Sequence, residues 1–330
     1  MSPSSRTARV VVIGGSAGAL EPLRTVCSHL NQDLPAPVLV VLHIPSGSPS
    51  LLPRILGRSG PLPAHHPADG QVLEGGHVYV APPGRHLLVD GNVARLSHGP
   101  HENRHRPAID PLFRTAAASF GEHTLAVLLS GARDDGSAGA VAVDRAGGTV
   151  VVQDPEDAPF AAIPSNAILR DDPDLVLPAA EIGPAISRMA VSGPPIGTAG
   201  NTIGGGVWQP SDLSCPHCGG VLHERDDGVE GFRCRVGHAY AIGSLATDQS
   251  QVLEATLWAA VRLFEERAAL SYRMAESARR RSHHAIAKRF DEVAVEARER
   301  AAELHRFLMS MPAGPAAVAE DEVHERDIEA

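Results

Sequence analysis

Aromatic residues are scarce in this 330-residue chain, at 4% of the total, although 43% of the residues are hydrophobic. A core must therefore be filled with Ala, Val and Leu rather than with rings. Positive charge is also in deficit: 29 Lys and Arg stand against 39 Asp and Glu, a formal net charge of -10. Counterion release rewards Lys and Arg facing phosphate, so the balance argues against a general nucleic-acid binder, though not against a local basic patch. No stretch approaches the ~20 uninterrupted apolar residues of a membrane-spanning helix. The start, MSPSSRTARVVVIGG, runs into a glycine turn without the apolar core and small-residue cleavage site of a secretory signal. A cytoplasmic protein with no membrane insertion is expected. Cysteine is sparse too: Cys27 stands alone, while Cys215, Cys218 and Cys234 cluster. A chain this long with three clustered cysteines is not a disulfide scaffold. The cluster points to metal.

What is present is an alternation. RVVVIG (9–14), APVLVVLHIP (36–45), GHVYVAPPG (76–84), TLAVLLSGA (124–132) and GGTVVVQDP (147–155) are apolar runs without polar alternation. Such runs are strands buried on both faces of a parallel sheet. The intervening IDPLFRTAAASFGE and GSAGAVAVDRAGG read as helices. The expected fold is α/β, a doubly wound, mostly parallel sheet with helices on both faces. HLLVDGNVARLSHG, around Asp90-Gly91, is a β-hairpin candidate.

The glycine turn Gly14-Gly15-Ser16-Ala17-Gly18 poses a choice between phosphate loop and nucleophile. The dinucleotide pattern G-x-G-x-x-G fails from either glycine, and no lysine is present for a Walker loop. G-x-S-x-G fits, the turn that exposes a serine between strand and helix. Amides at the start of the following helix, from Ala17 on, suit an oxyanion. A serine needs a base, and the base an orienting acid. His43 ends the second run, before Pro45, and Asp134 and Asp135 end LAVLLSGARDDG. Parallel strands end on one edge, where ligands bind, so these side chains share a rim. Taken singly, each is also explained as a helix cap or a hydrogen-bonded strand end. The order Ser, His, Asp differs from the Ser, Asp, His order of α/β-hydrolases.

IGGSAGA, VVLHIP, VYVAPPGRHL, NRHRPAIDPLF, LLSGARDDGSAGA and FAAIPSNAI follow one another in an order that resembles the catalytic domain of the CheB family of chemotaxis protein-glutamate methylesterases. The likeness covers about residues 8–190. It implies Ser16 as nucleophile, His43 as base and Asp135, rather than Asp134, as the acid. It implies hydrolysis of glutamate methyl esters on methylated chemoreceptors, deamidation of receptor glutamines, and no catalytic cofactor. Full-length members carry an N-terminal receiver, for which residues 1–7 leave no room here. The usual GMGxDG turn reads GARDDG, with Ala132, whose amide is the implied oxyanion donor, and Arg133 in place of Met and Gly. Arg104, His105 and Arg106 of NRHRPAID suit a receptor surface rich in Glu and Gln, or else are solvated charges leading into a helix. The alternatives are a CheB-like adaptor working through its C-terminal half and a serine esterase with another substrate.

That C-terminal half begins after a Gly/Pro-rich linker, 191–212. CPHCGGVLHERDDGVEGFRCRVGH gives C-x2-C, fifteen residues, then C-x3-H. Cys215, Cys218, Cys234 and His238 make a closed set for structural zinc, with His217 and His223 as alternative fourth ligands. The acidic HERDDGVEG favours a protein-docking role over nucleic acid. The expected organisation is a catalytic domain (1–190), linker (191–212), zinc module (213–245), helical hairpin (246–311) broken at ARRRSHHA, and a disordered acidic tail (312–330). Leu253, Leu257, Val261 and Phe264 form one hairpin stripe; Ile286, Phe290, Val293, Ala297, Ala301, Leu304 and Leu308 form the other.

Overall fold

The computed structural model describes residues 9–44, 50–170, 172–190, 208–225 and 231–311. Pro45, most of the expected linker and the expected tail lie outside these residues. The described chain forms two compact units, 1–245 and 246–330.

In the first unit the elements run β1 (Val10–Gly15), α1 (Leu20–Ser28), β2 (Val38–Leu42), α2 (Leu52–Ser59), β3 (Ala64–His65), β4 (Gln71–Val72), β5 (Val78–Val80), β6 (His86–Asp90), β7 (Val93–Ser97), α3 (Ile109–Phe120), β8 (Thr124–Leu128), α4 (Ser137–Arg145), β9 (Thr149–Gln153), α5 (Ala162–Arg170), β10 (Leu175–Leu177) and α6 (Ala179–Met189). Seven strands form one sheet in the order β10-β9-β8-β1-β2-β5-β3. Every pairing in it is parallel. β1, β2, β8 and β9 are buried at every position, which is why their sequences lack alternation. Successive residues nonetheless feed opposite cores. Val11, Ile13, Val38 and Val40 pack with Leu23, Leu56 and Ile182 of α1, α2 and α6 on one face. Val10, Val12, Leu39 and Val41 pack with Phe113, Val143 and Ile163 of α3, α4 and α5 on the other. The expected doubly wound fold is present, with the Asp90-Gly91 hairpin as β6–β7.

A second, small antiparallel sheet follows: β11 (Trp208–Ser214), β12 (Val221–Arg225), β13 (Phe232–Cys234) and β14 (Ala239–Tyr240). Residues 208–212, expected as linker, are therefore strand. Their Gly-free, Trp-led segment pairs with β12, a long-range pairing that local composition does not report.

α7 (Ile242–Arg280) and α8 (His284–Ser310) complete the chain. The break falls at 281–283, inside the expected segment, with Ser282 at φ 59. The seam keeps Leu257, Val261, Phe264, Ala301, Leu304 and Leu308 of the expected stripes, but Leu253 and Ile286 are exposed, at 51% and 49%. Val261, Ala268 and Ala275, each seven apart, are buried on α7, as are Ala287, Ala294, Ala301 and Leu308 on α8. A seven-residue repeat marks coiled-coil packing, and Val261 of α7 packs with Ala301 and Leu308 of α8. Among the described residues no helix is long and apolar enough to cross a membrane.

Candidate active site

β8, β1 and β2 are neighbours, and each delivers one polar residue to the same edge. Ser16 directly follows β1, and its amide donates to Ser130 O at 2.9 Å. His43 directly follows β2, and its amide donates to Gly15 O at 3.3 Å. Asp135 lies in the turn between β8 and α4. That turn runs close beside the serine: a Cβ on Gly131 would fall 2.8 Å from Ser16 Cβ. The result is a continuous hydrogen-bond line. Ser16 Oγ donates to His43 Nδ1 at 3.0 Å, and His43 Nε2 donates to Asp135 Oδ2 at 2.7 Å. The histidine side chain is 7% exposed and the aspartate 2%.

Asp135 is held from every side. Its Oδ2 also accepts the amide of Ile109 at 2.7 Å, and its Oδ1 the amide of Asp110 at 3.4 Å, so it caps the N-terminus of α3. Asn103 Nδ2 donates to Oδ1 at 2.8 Å. Burial alone would push this carboxyl up, but the His43 hydrogen bond and charge, with the helix amides, hold it well below the usual carboxylate range. Asp110 does the reciprocal service for α4, its Oδ1 accepting the amides of Gly136 (3.1 Å) and Gly139 (2.7 Å). Burial, then the Asp135 charge, pushes Asp110 up to about 7. Two fully buried carboxylates thus have opposite fates, the pattern by which acid and base roles are separated.

The amides of Ala17 and Ala132 donate to no other described residue. Both flank the serine, Ala17 by sequence and Ala132 through Gly131.

The CheB methylesterase family model matches residues 11–186. The chain belongs to that family. A protein-glutamate methylesterase/protein-glutamine glutaminase of Anaeromyxobacter dehalogenans is 37% identical over 187 residues, 56% of this chain and 55% of the relative. One from Paramagnetospirillum magneticum is 34% identical over 186 residues, 55% of this chain and 49% of the relative. The chain spans about half the length of these curated relatives. The crystal structure of the Thermotoga maritima CheB methylesterase catalytic domain matches with a TM-score of 0.53 and 32% identity, over 55% of this chain and 98% of that one.

Within the CheB domain, the three basic residues of the loop NRHRPAID are placed differently from one another. Arg104 alone is exposed. Arg106 Nη1 donates to the carbonyls of His98 (3.1 Å) and Gly99 (2.9 Å), so it clamps its own loop. The His105 ring stacks on His43, centroids 3.6 Å apart and planes within 10°. Burial, then the His43 charge, lowers His105 to about 4. Desolvation overrides the charge its residue type suggests. Arg133 sits at φ 72, which accounts for the glycine in the family's usual turn, since left-handed backbone is costly for a residue with Cβ. Asn103 and Asp110 went unremarked in the sequence; the signal was two helix N-termini with no Ser or Thr cap of their own.

Beyond the family match, Cys215, Cys218, Cys234 and His238 bring their donor atoms within 4.8 Å of one another. His238 Nδ1 lies 3.8 Å from Cys215 Sγ and 3.4 Å from Cys234 Sγ, and Cys218 Sγ lies 3.6 Å from Cys234 Sγ. Tetrahedral zinc with bonds of ~2.3 Å to sulfur and ~2.0 Å to nitrogen requires edges of roughly 3.5–3.8 Å, so the donor set fits. Gly219, at φ 70, makes the turn after the first thiolate pair. Tyr240 Oη lies 3.8 Å from Cys215 Sγ. His217 instead packs its ring against His238, centroids 4.2 Å apart, and His223 belongs to the β12 ladder. Cys27, buried in the sheet core, is pushed up to about 12 by burial and is no nucleophile.

Proposed function

We propose that this protein hydrolyses glutamate methyl esters on methylated chemoreceptor-type helices in the cytoplasm, and deamidates glutamines there, through Ser16, His43 and Asp135. The observation that carries this is the 3.0 Å and 2.7 Å hydrogen-bond line from serine to histidine to aspartate. His43 Nδ1 takes the Ser16 proton as Oγ attacks the ester carbonyl. The amides of Ala17 and Ala132 stabilise the oxyanion. Collapse expels methanol, or ammonia from an amide, with the proton returned by His43. Water, deprotonated by the same nitrogen, then attacks the acyl-serine and releases glutamate. Asp135 stays ionised, orients the ring and stabilises the imidazolium. The Cys3His set holds a structural zinc, which supplies folding energy to the small sheet and no step of the reaction.

Methanol release from a methylated receptor tests this. Ser16→Ala is expected to lower kcat by at least ~10³-fold. Equal rates in the two proteins would end the assignment.

A further inference from the structure

Asn103 is 2% exposed and lies at φ 48, left-handed backbone that its short polar side chain tolerates better than most. Its side chain is saturated. Nδ2 donates to Asp135 Oδ1 and to Asp110 Oδ2, each at 2.8 Å. Oδ1 accepts the amide of Ala241 at 2.7 Å, and the Asn103 amide donates to Ala239 O at 2.9 Å. Ala239 is the residue after His238, a member of the Cys3His set. One side chain therefore joins the small sheet to the acid of the triad.

A second tie runs in parallel. Asp134, buried beside Asp135, accepts the amide of Gly243 (3.1 Å) and the hydroxyl of Ser244 (2.5 Å) at the start of α7. A third contact is steric: Gly237, at φ 105, sits so close to the 100–103 loop that a Cβ would fall 2.9 Å from Pro100 Cγ.

We propose that the metal-organised ribbon is a positioning element for the catalytic aspartate, acting through Asn103 and Asp134, so that turnover depends on a zinc-class cation that never meets substrate. This rests on the esterase reading of the same site. Without metal, the Cys234–His238 turn loses its restraint, and the Ala239 and Ala241 backbone that fixes Asn103 loosens with it. The loss is partial, because the Glu102–Arg114 ion pair (2.7 Å) still holds the loop to α3. A displacement of about 1 Å at a catalytic group costs on the order of 10²-fold.

The test uses the full chain, zinc-loaded, chelated and reloaded, with Cys218→Ser, Asn103→Ala, their double variant and Ser244→Ala. Three quantities are read: bound zinc, kcat and KM for receptor demethylation, and the rate at which a fluorophosphonate labels Ser16. Chelation and Cys218→Ser are expected to lower kcat and labelling by about 10–100-fold with KM nearly unchanged, and zinc to restore the chelated wild type. Asn103→Ala keeps its zinc, is slow, and responds less to chelator, through the Asp134 tie alone; the double variant loses less than the product of the two single losses. Metal-free protein at the wild-type rate, or losses that multiply in the double variant, overturns the proposal. Should the chelated chain unfold, Ser244→Ala and Asn103→Ala with zinc bound decide: a wild-type kcat in both overturns it. Failure of the esterase reading is separable, because the labelling-rate ratio reads the triad without any receptor substrate.

Discussion

The large sheet and the ribbon solve the same problem with different materials. The sheet buries β-branched strands between two helical layers and needs nothing beyond its own side chains. The ribbon's cluster is Cys215, Leu222, Cys234, Tyr240 and Leu245, with Leu213 and Phe232 against it. Two of its five buried members, Cys215 and Cys234, belong to the Cys3His set proposed to hold metal. Burial scales with size, so a segment this short cannot offset its chain entropy by apolar contact alone. One region should therefore fail by losing contacts and the other by losing an ion.

The largest effect follows directly. Structural zinc contributes ~10–16 kcal/mol of apparent folding energy in finger-sized modules. Chelation should strip hydrogen-exchange protection from β11 to β14 while leaving β1, β2 and β8 protected. Loss of protection in both regions together would mean that the division drawn here is wrong. The converse experiment is Leu39→Ala, at a wholly buried position of β2. It should cost about 2–5 kcal/mol in denaturant unfolding while the protein retains its zinc.

A third expectation belongs to the sheet domain alone. Asp110 is held protonated in the fold, up to about 7 against an ordinary 3.8. Between those values the unfolded chain has already released the proton that the fold keeps. Stability therefore falls as pH rises through this window. Asp135 is shifted the opposite way, so its contribution is lost only below the ordinary carboxylate range. Urea midpoints at pH 5 and pH 7 should show the decline in wild type and a flatter response in Asp110→Asn, whose amide oxygen can still accept the α4 amides. An equal slope in both proteins would remove Asp110 as its source.

The same division explains what was legible beforehand. Val10–Ile13 and Val38–Leu42 announce buried parallel strands because a both-sided core leaves an unbroken apolar run, and strand ends on one edge brought Ser16, His43 and Asp135 together on paper. The clustering of Cys215, Cys218, Cys234 and His238 was readable because their spacing is local. The 208–212 strand was not, since it is defined by a partner beyond its own turn. Of the hairpin stripes, Val261, Ala297, Ala301 and Leu308 are buried as read, whereas Leu253 and Ile286 are exposed and the buried Ala268, Ala275, Ala287 and Ala294 were passed over, because a small side chain carries little apolar signal. Arg104, His105 and Arg106 read as cations for a partner or as solvated charges. Burial lowers the pKa of His105, and Arg106 donates to two backbone carbonyls. Charge in a sequence says nothing of burial.

The smallest expected effect isolates backbone strain from both cores. Arg133 holds φ 72 in the turn that carries Asp134 and Asp135, and its carbonyl accepts Asn166 Nδ2 at 2.8 Å, a bond that does not depend on its side chain. A left-handed residue with a Cβ costs about 1–2 kcal/mol, while glycine at that place gives part of this back through a freer unfolded chain. Arg133→Gly should therefore stabilise the sheet domain by up to about 1 kcal/mol, seen as a higher midpoint at unchanged zinc content. Arg133 also faces His105, whose depressed pKa includes a contribution from it, so the substitution moves the ring stacked on His43 back toward its ordinary value. A rise in stability accompanied by a changed pH dependence of kcat would tie the strain to the active site. A fall in stability would show that the arginine side chain itself holds the turn.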